Sequence, residues 1–223
     1  MTRTPLMERD MPFYTKAEER MNMITHIVGG AIAVAALVLC IIRSAMHHSG
    51  VGIASSIVFG VSMILLYTMS SIYHGLPDGR GKRVMQVLDH CSVYILIAGS
   101  YTPVLLCGLA RVDKVSAWVI FGIVWGLAAA AIVLNSIDLK SFKHISMVLY
   151  LLMGWTIIFK LPVLIQAIGM PAFWLILAGG ILYTIGAILY GLGRTRRYMH
   201  SIFHIFVVAG SVCHVLAILL YIL

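Results

Sequence analysis

His200 and His204 stand four residues apart, a spacing that puts both imidazoles on one face of a helix. Such a pair can chelate one metal ion. A third neutral imidazole would complete a three-histidine site with one position open, the arrangement of catalytic rather than structural zinc. The pair reads His-Ser-Ile-Phe-His and lacks the internal Glu of HExxH proteases, so a general base must come from another part of the chain. Of the eight carboxylates, only Asp89 falls inside a long apolar run. A carboxylate in lipid costs about 2.5–3.5 kcal/mol, so Asp89 marks either a working group or a polar bridge between helices. Ser70 precedes His74 by four residues and shares its helix face. Its hydroxyl could hold Asp89, donate to an oxyanion, or bond back to its own helix backbone.

The elements that must position these groups follow from composition. The chain has 223 residues, of which 61% are apolar and 11% charged. Its mean hydropathy is +1.00. A soluble domain carries about 25% charged residues, so a soluble enzyme and a disordered chain are both excluded. Apolar runs cover residues 24–42, 51–76, 84–110, 115–137, 142–163, 172–192 and 198–223. Each is near the roughly 20 residues a helix needs to cross lipid, and only helices suit runs this continuous. The expected fold is an all-α, seven-transmembrane helix bundle over residues 24–223, preceded by a cytoplasmic segment, residues 1–23, with no cleavable leader. The fifth run is the least regular, because Lys160 and Pro162 interrupt its end; Lys160 is expected to snorkel to the interface. Cys40, Cys91, Cys107 and Cys213 all lie in apolar runs without a CxxC pair and read as core residues.

Orientation follows from the 16 basic residues. Arg3, Arg9, Lys16, Arg20, Arg80, Lys82, Arg83, Lys140, Lys143, Arg194, Arg196 and Arg197 fall on one side, and Arg43, Arg111, Lys114 and Lys160 on the other. The richer side is expected to be cytoplasmic, with the N-terminus inside and the C-terminus outside. This clustering between apolar runs is not that of a nucleic-acid-binding face. His26, His74, His90, His200 and His204 then lie near the inner ends of their runs. Asp89 lies six residues past Arg83, about 9 Å deep. Counting along the helices thus brings His74, Asp89, His200 and His204 to one depth. His214 lies about 15 Å beyond His204 and reads as a buried histidine bonded between helices. His47, His48 and His144 read as solvated. Glu18, Glu19, Asn22 and His26 stand at the inner mouth of the first run. The acidic pair suits a helix start, and a supporting or entrance role is the alternative.

These motifs, in this order, resemble the hemolysin III family, bacterial members of the progestin and adipoQ receptor superfamily. The resemblance covers nearly the whole chain. It is carried by Glu18-Glu19-Arg20-Met21-Asn22 with Thr25-His26, by Ser70 with His74, by Leu88-Asp89-His90 running to Gly99-Ser100-Tyr101-Thr102-Pro103, and by His200 and His204 followed by His214. It implies zinc (Zn2+) held by His74, His200 and His204, with Asp89 on the metal-bound water. Ser70 matches the serine of the related adiponectin receptors and alkaline ceramidases, whose site is linked to hydrolysis of the ceramide amide. Bacterial members carry the hemolysin name and are associated with membrane lipid homeostasis.

The first functional expectation is a zinc-dependent intramembrane hydrolase acting on a lipid amide or ester. Asp89 and Ser70 would be its catalytic residues, and Glu19, Asn22 and His26 the supporting groups. Membrane lipids are the expected partners and nucleic acid is not. The second expectation is a membrane sensor whose zinc ties helices together without turnover. The third, a hemolysin-type pore, has little behind it, since no polar stripe runs through the helices. A retinal protein is disfavoured because the last run contains no Lys for a Schiff base.

Overall fold

Lipid offers the backbone no hydrogen-bond partners, so a chain this apolar must satisfy its own amides within each element. The computed structural model describes residues 4–8, 11–192 and 196–223. Arg3, Arg9 and Arg194 of the charge balance, and the carboxylate Asp10, lie outside the described residues. All regular structure among the described residues is helical: α1 Lys16–Met46, α2 Gly50–Gly75, α3 Arg80–Pro103, α4 Lys114–Asp138, α5 Lys143–Trp155, α6 Leu161–Leu192 and α7 Met199–Ala217.

α1 starts at Lys16, ahead of the boundary at residue 24 expected from hydropathy. A capping box sets the earlier start. The Thr15 side chain accepts from the Glu18 N–H, and the Glu18 carboxylate accepts from the Thr15 N–H at 2.9 Å. Polar first turns are invisible to an apolar count.

Six helical stretches are long and apolar enough to cross a membrane, where seven separate runs were expected. The fifth and sixth runs belong to one helical stretch, Lys143–Gly191. Pro162 does not interrupt it. α5 passes through a 3-10 turn, Thr156–Lys160, into α6, and Pro162 sits in the first turn of α6, where a missing N–H costs little. The interruption falls instead at Gly169, whose φ of 77° and ψ of 163° belong to a region nearly reserved for glycine. Trp155 Nε1 donates to Thr184 Oγ1 at 3.1 Å, although 29 residues separate them. A straight helix would place these residues about 43 Å apart. The stretch therefore turns back on itself around Gly169. At the end of the bundle where α4 begins, Lys160 pairs with Asp113, the residue capping α4, at 3.4 Å.

α3 is the central helix, and around the bundle α1 packs on α2 and α7, α2 on α3, α3 on α4, and α6 on α7. The buried face of α1 runs Glu18, Asn22, His26, Gly29, Ala33, Ala36, Cys40, Ser44. It is polar at the start of the helix and small-sided beyond it. Its opposite face exposes Ile24, Ile27, Val28, Val34 and Val38, as lipid contact requires. Small residues let neighbouring helices approach closely where no hydrophobic force between them is available. Gly29 shows this: a Cβ there would stand 2.7 Å from the Tyr67 ring. The Tyr67 hydroxyl donates to Ser211 Oγ at 2.7 Å and Tyr183 OH lies 2.8 Å from the same oxygen, tying α2, α6 and α7. The polar start of α1 faces the last turn of α2 and the first turns of α7. That junction holds the candidate site.

Candidate metal centre

His74 comes from the last turn of α2, and His200 and His204 from successive turns of α7. Glu18, besides capping α1, accepts from the Tyr198 N–H at 2.8 Å, at the left-handed residue that opens α7. Asn22 accepts on its side-chain oxygen from the Ser201 hydroxyl. These two contacts fix the rotation of α7 against α1.

The three imidazoles converge through Nε2. His74 Nε2 lies 3.2 Å and His204 Nε2 3.1 Å from His200 Nε2. All three rings are buried, and their ligand atoms lie within 4.8 Å of one another. The outer nitrogens decide the tautomers. His74 Nδ1 lies 2.6 Å from Glu19 Oε2, an acceptor, so Nδ1 carries the proton. The Asn22 amide, 3.4 Å from the same nitrogen, is then a contact and not a partner. His204 Nδ1 lies 3.2 Å from the Asn22 carbonyl, so it too carries the proton. His74 and His204 therefore both turn bare Nε2 lone pairs towards His200. One Nε2–H on His200 can satisfy only one of them. A bound cation satisfies all three, so the donor set fits a metal such as zinc.

Glu19 is held in turn by Lys82, whose ammonium donates to Oε1 at 2.7 Å and to the Leu76 carbonyl at 3.0 Å. Lys82 entered the charge count as a loop residue, yet it is buried within the site. His26 stacks on His204, with ring centroids 3.7 Å apart and planes 9° from parallel. Both His26 nitrogens are buried without a hydrogen-bond partner. Tyr14 roofs the cluster. Its ring stacks on His200 at 5.0 Å and meets His74 edge-on at 5.7 Å. Burial, reinforced by Tyr190 and Glu19, pushes its phenol far above the usual value, so it stays neutral. Residue spacing signals neither Tyr14 nor Lys82, because both reach the cluster from outside the helices that carry the ligands.

Asp89 and Ser70 line a cavity of about 150 Å³ together with His26, His200 and His204. Its further walls are apolar, among them Leu66, Val93, Leu96, Ile97 and Leu151. Asp89 makes no hydrogen bond to the three histidines. Its nearest basic group is His90 Nδ1 at 3.8 Å. That nitrogen is committed to the Gln86 carbonyl at 2.8 Å, while His90 Nε2 lies 3.0 Å from Tyr190 OH. Ser70 Oγ is buried and interacts with the Asp89 carboxylate, and it makes no hydrogen bond to its own backbone. Its neighbour Ser71 does, to the Tyr67 carbonyl at 2.7 Å. His214 closes the far end of the cavity. It lies 3.3 Å from the Ile176 carbonyl and edge-on to Tyr183, as expected of a histidine bonded between helices. His47, His48 and His144 are exposed.

Fold and site together define a multi-pass, all-helical cell-membrane protein with a buried three-histidine cluster. The chain belongs to the hemolysin III family: the family model described as "Haemolysin-III related" matches residues 14–215. It is 36% identical to Hemolysin-3 of Bacillus cereus over 206 residues, 92% of each chain. It is 37% identical to a Hemolysin-3 homolog of Bacillus subtilis (strain 168) over 208 residues, 93% of this chain and 96% of that one. A more distant relative is the human Monocyte to macrophage differentiation factor, 23% identical over 169 residues, 72% of this chain and 67% of that protein.

Proposed function

We propose that the protein is a zinc-dependent hydrolase of a lipid amide or ester, working near the cytoplasmic face of the membrane. His74, His200 and His204 would hold the ion. The observation that carries the reading is that His200 and His204 line one largely apolar cavity together with Asp89 and Ser70. When bound, zinc supplies Lewis acidity to water and to a carbonyl. Asp89, the only carboxylate among the described residues that line the cavity, accepts the proton released from the attacking water. Ser70, whose hydroxyl is tied to no backbone group, donates a hydrogen bond to the developing oxyanion. The cavity walls hold one apolar chain and exclude bulk water from the carbonyl.

The proposal includes seven crossings, with the N-terminus in the cytoplasm and the C-terminus outside. The turn at Gly169 supports it, because it divides Lys143–Gly191 into two antiparallel arms. An odd number of crossings then separates the termini, and the excess of Lys and Arg puts the N-terminal side inside. Membrane lipids are the partners. The second reading, a sensor with zinc as a structural tie, draws on Tyr14, whose ring covers the cluster as it would a closed site.

The test is metal content by mass spectrometry on detergent-purified protein, beside a His200→Ala/His204→Ala variant and Asp89→Asn. One zinc per chain is expected in wild type, none in the double variant. Asp89→Asn is expected to retain zinc and lose lipid turnover. Turnover that survives in Asp89→Asn would remove Asp89 as the base. A folded wild type that takes up no zinc would end the hydrolase reading.

A further inference from the structure

A second cavity, of about 260 Å³, lies against the first. Met147, Tyr150, Tyr190, His90 and His200 line both, so the two meet beside His200 of the histidine cluster. Their chemistry differs. The first is walled mainly by aliphatic and aromatic side chains, whereas the second adds Lys140, Lys143, Gln86 and Ser146 to its apolar and aromatic walls. No carboxylate among the described residues lines the second.

Three features of this chamber favour an anion. Lys143 opens α5 and lines the chamber, and among the described residues no carboxylate pairs with it. The start of α5 has no side-chain cap to offset the positive end of its helix dipole, although the Lys143 N–H itself turns back to the Lys140 carbonyl at 3.4 Å. Tyr73, 1% exposed, lines the chamber with a hydroxyl that has no hydrogen-bond partner. An ammonium and a buried, unpartnered phenol line one chamber at the positive end of a helix, and a phosphate group offers several strong acceptor oxygens to match them.

We infer that this chamber binds the phosphate of a lipid headgroup, so that the lipid taken by the protein is a phospholipid. The inference rests on the hydrolase reading only for the placement of the acyl chain in the first cavity. In a glycerophospholipid the phosphate and the acyl carbonyl are a few bonds apart. With the chain in the apolar cavity and the phosphate in the cationic one, the carbonyl falls at the histidines between them.

Binding can be measured without turnover by using ether-linked lipids, which have no acyl bond to break. Short-chain diether phosphatidylglycerol, the matching phosphate-free diether glycerol and inorganic phosphate would each be titrated calorimetrically into the full-length protein in detergent. The phosphatidylglycerol analogue is expected to bind about tenfold or more tighter than the phosphate-free lipid, the scale of one charge-assisted hydrogen bond. Lys143→Gln should remove most of that difference and Lys143→Arg should keep it, with unchanged unfolding temperatures in both. Equal binding of the two lipids, or no effect of Lys143→Gln, overturns the inference. Inorganic phosphate binding as tightly as the phospholipid would overturn a lipid as the source of the group. Zinc content and turnover, measured in parallel, separate the two ideas. Headgroup discrimination by a zinc-free, inactive protein would sink the hydrolase reading alone. Hydrolysis without discrimination would sink the headgroup site alone.

Discussion

Glu19 lies against the outer nitrogen of His74, Oε2 to Nδ1 at 2.6 Å, and its other oxygen is held by Lys82 at 2.7 Å. The carboxylate fixes the His74 ring and its tautomer, leaving Nε2 bare towards the other two histidines. Carboxylates behind ligand histidines typically contribute about 10–100-fold in metal affinity. Glu19→Gln is therefore expected to weaken zinc binding by about that factor, measured by competition with a chelator. Lys82→Met should act in the same direction with a smaller effect. Wild-type affinity in Glu19→Gln would mean that helix packing alone orients His74.

His26 and His204 form a parallel stack at 3.7 Å, yet the His26 nitrogens bond to nothing. His26→Phe keeps the stack and removes two buried polar atoms. Leaving such a group unpaired costs about 1–3 kcal/mol, so this variant should unfold at the same or a higher temperature and still bind one zinc. His26→Ala opens a void beside His204 and should lower stability by about 2–4 kcal/mol. A marked loss in His26→Phe would show that water bridges those nitrogens in solution.

Gly169 carries the reversal in Lys143–Gly191 with a backbone conformation that side chains resist. Gly169→Ala should cost about 1–3 kcal/mol. The readout is thermal unfolding in detergent, with cysteine labelling at the two ends of the stretch to report whether the arms still lie antiparallel. An Ala variant as stable as wild type would argue that the turn has other solutions.

Gly29 faces the fully buried Tyr67 ring, whose hydroxyl is tied to Ser211. The ring cannot swing away without breaking that bond. Gly29→Ala should destabilise by about 1–3 kcal/mol through overpacking. Tyr67→Phe in the same background should recover part of the loss by freeing the ring.

Chelation should lower the unfolding temperature of wild type and leave that of the His200→Ala/His204→Ala variant unchanged. Ligand imidazoles must be neutral to bind, so protons compete with the metal. Zinc affinity should therefore fall as the pH is lowered and recover as it is raised. A chelator effect as large in the double variant would place the metal elsewhere.

Much of this was legible in the residues. His200 and His204 share a face because the helical period says so, and counting from the basic clusters put His74 at their depth. Asp89 stood out because carboxylates are costly in lipid. The apolar runs were long enough that only helices could carry them. What spacing could not reach was the ring of groups behind the ligands. Lys82 looked like one more loop charge, and Tyr14 like part of a polar tail. Spacing set Ser70 on the His74 face, but it could not say that Ser70 leaves its own backbone while Ser71 bonds to the Tyr67 carbonyl.

By itself, then, the sequence determined a helical membrane protein and which histidines share one end of its helices, because hydropathy and helical rise are local properties. The tertiary structure decided which neighbours meet there. Glu18 rotates α7 against α1, Glu19 orients His74, and Gly169 folds two arms together. Those contacts join residues as far apart as Glu18 and Tyr198. They depend on how helices pack, and no local pattern encodes that.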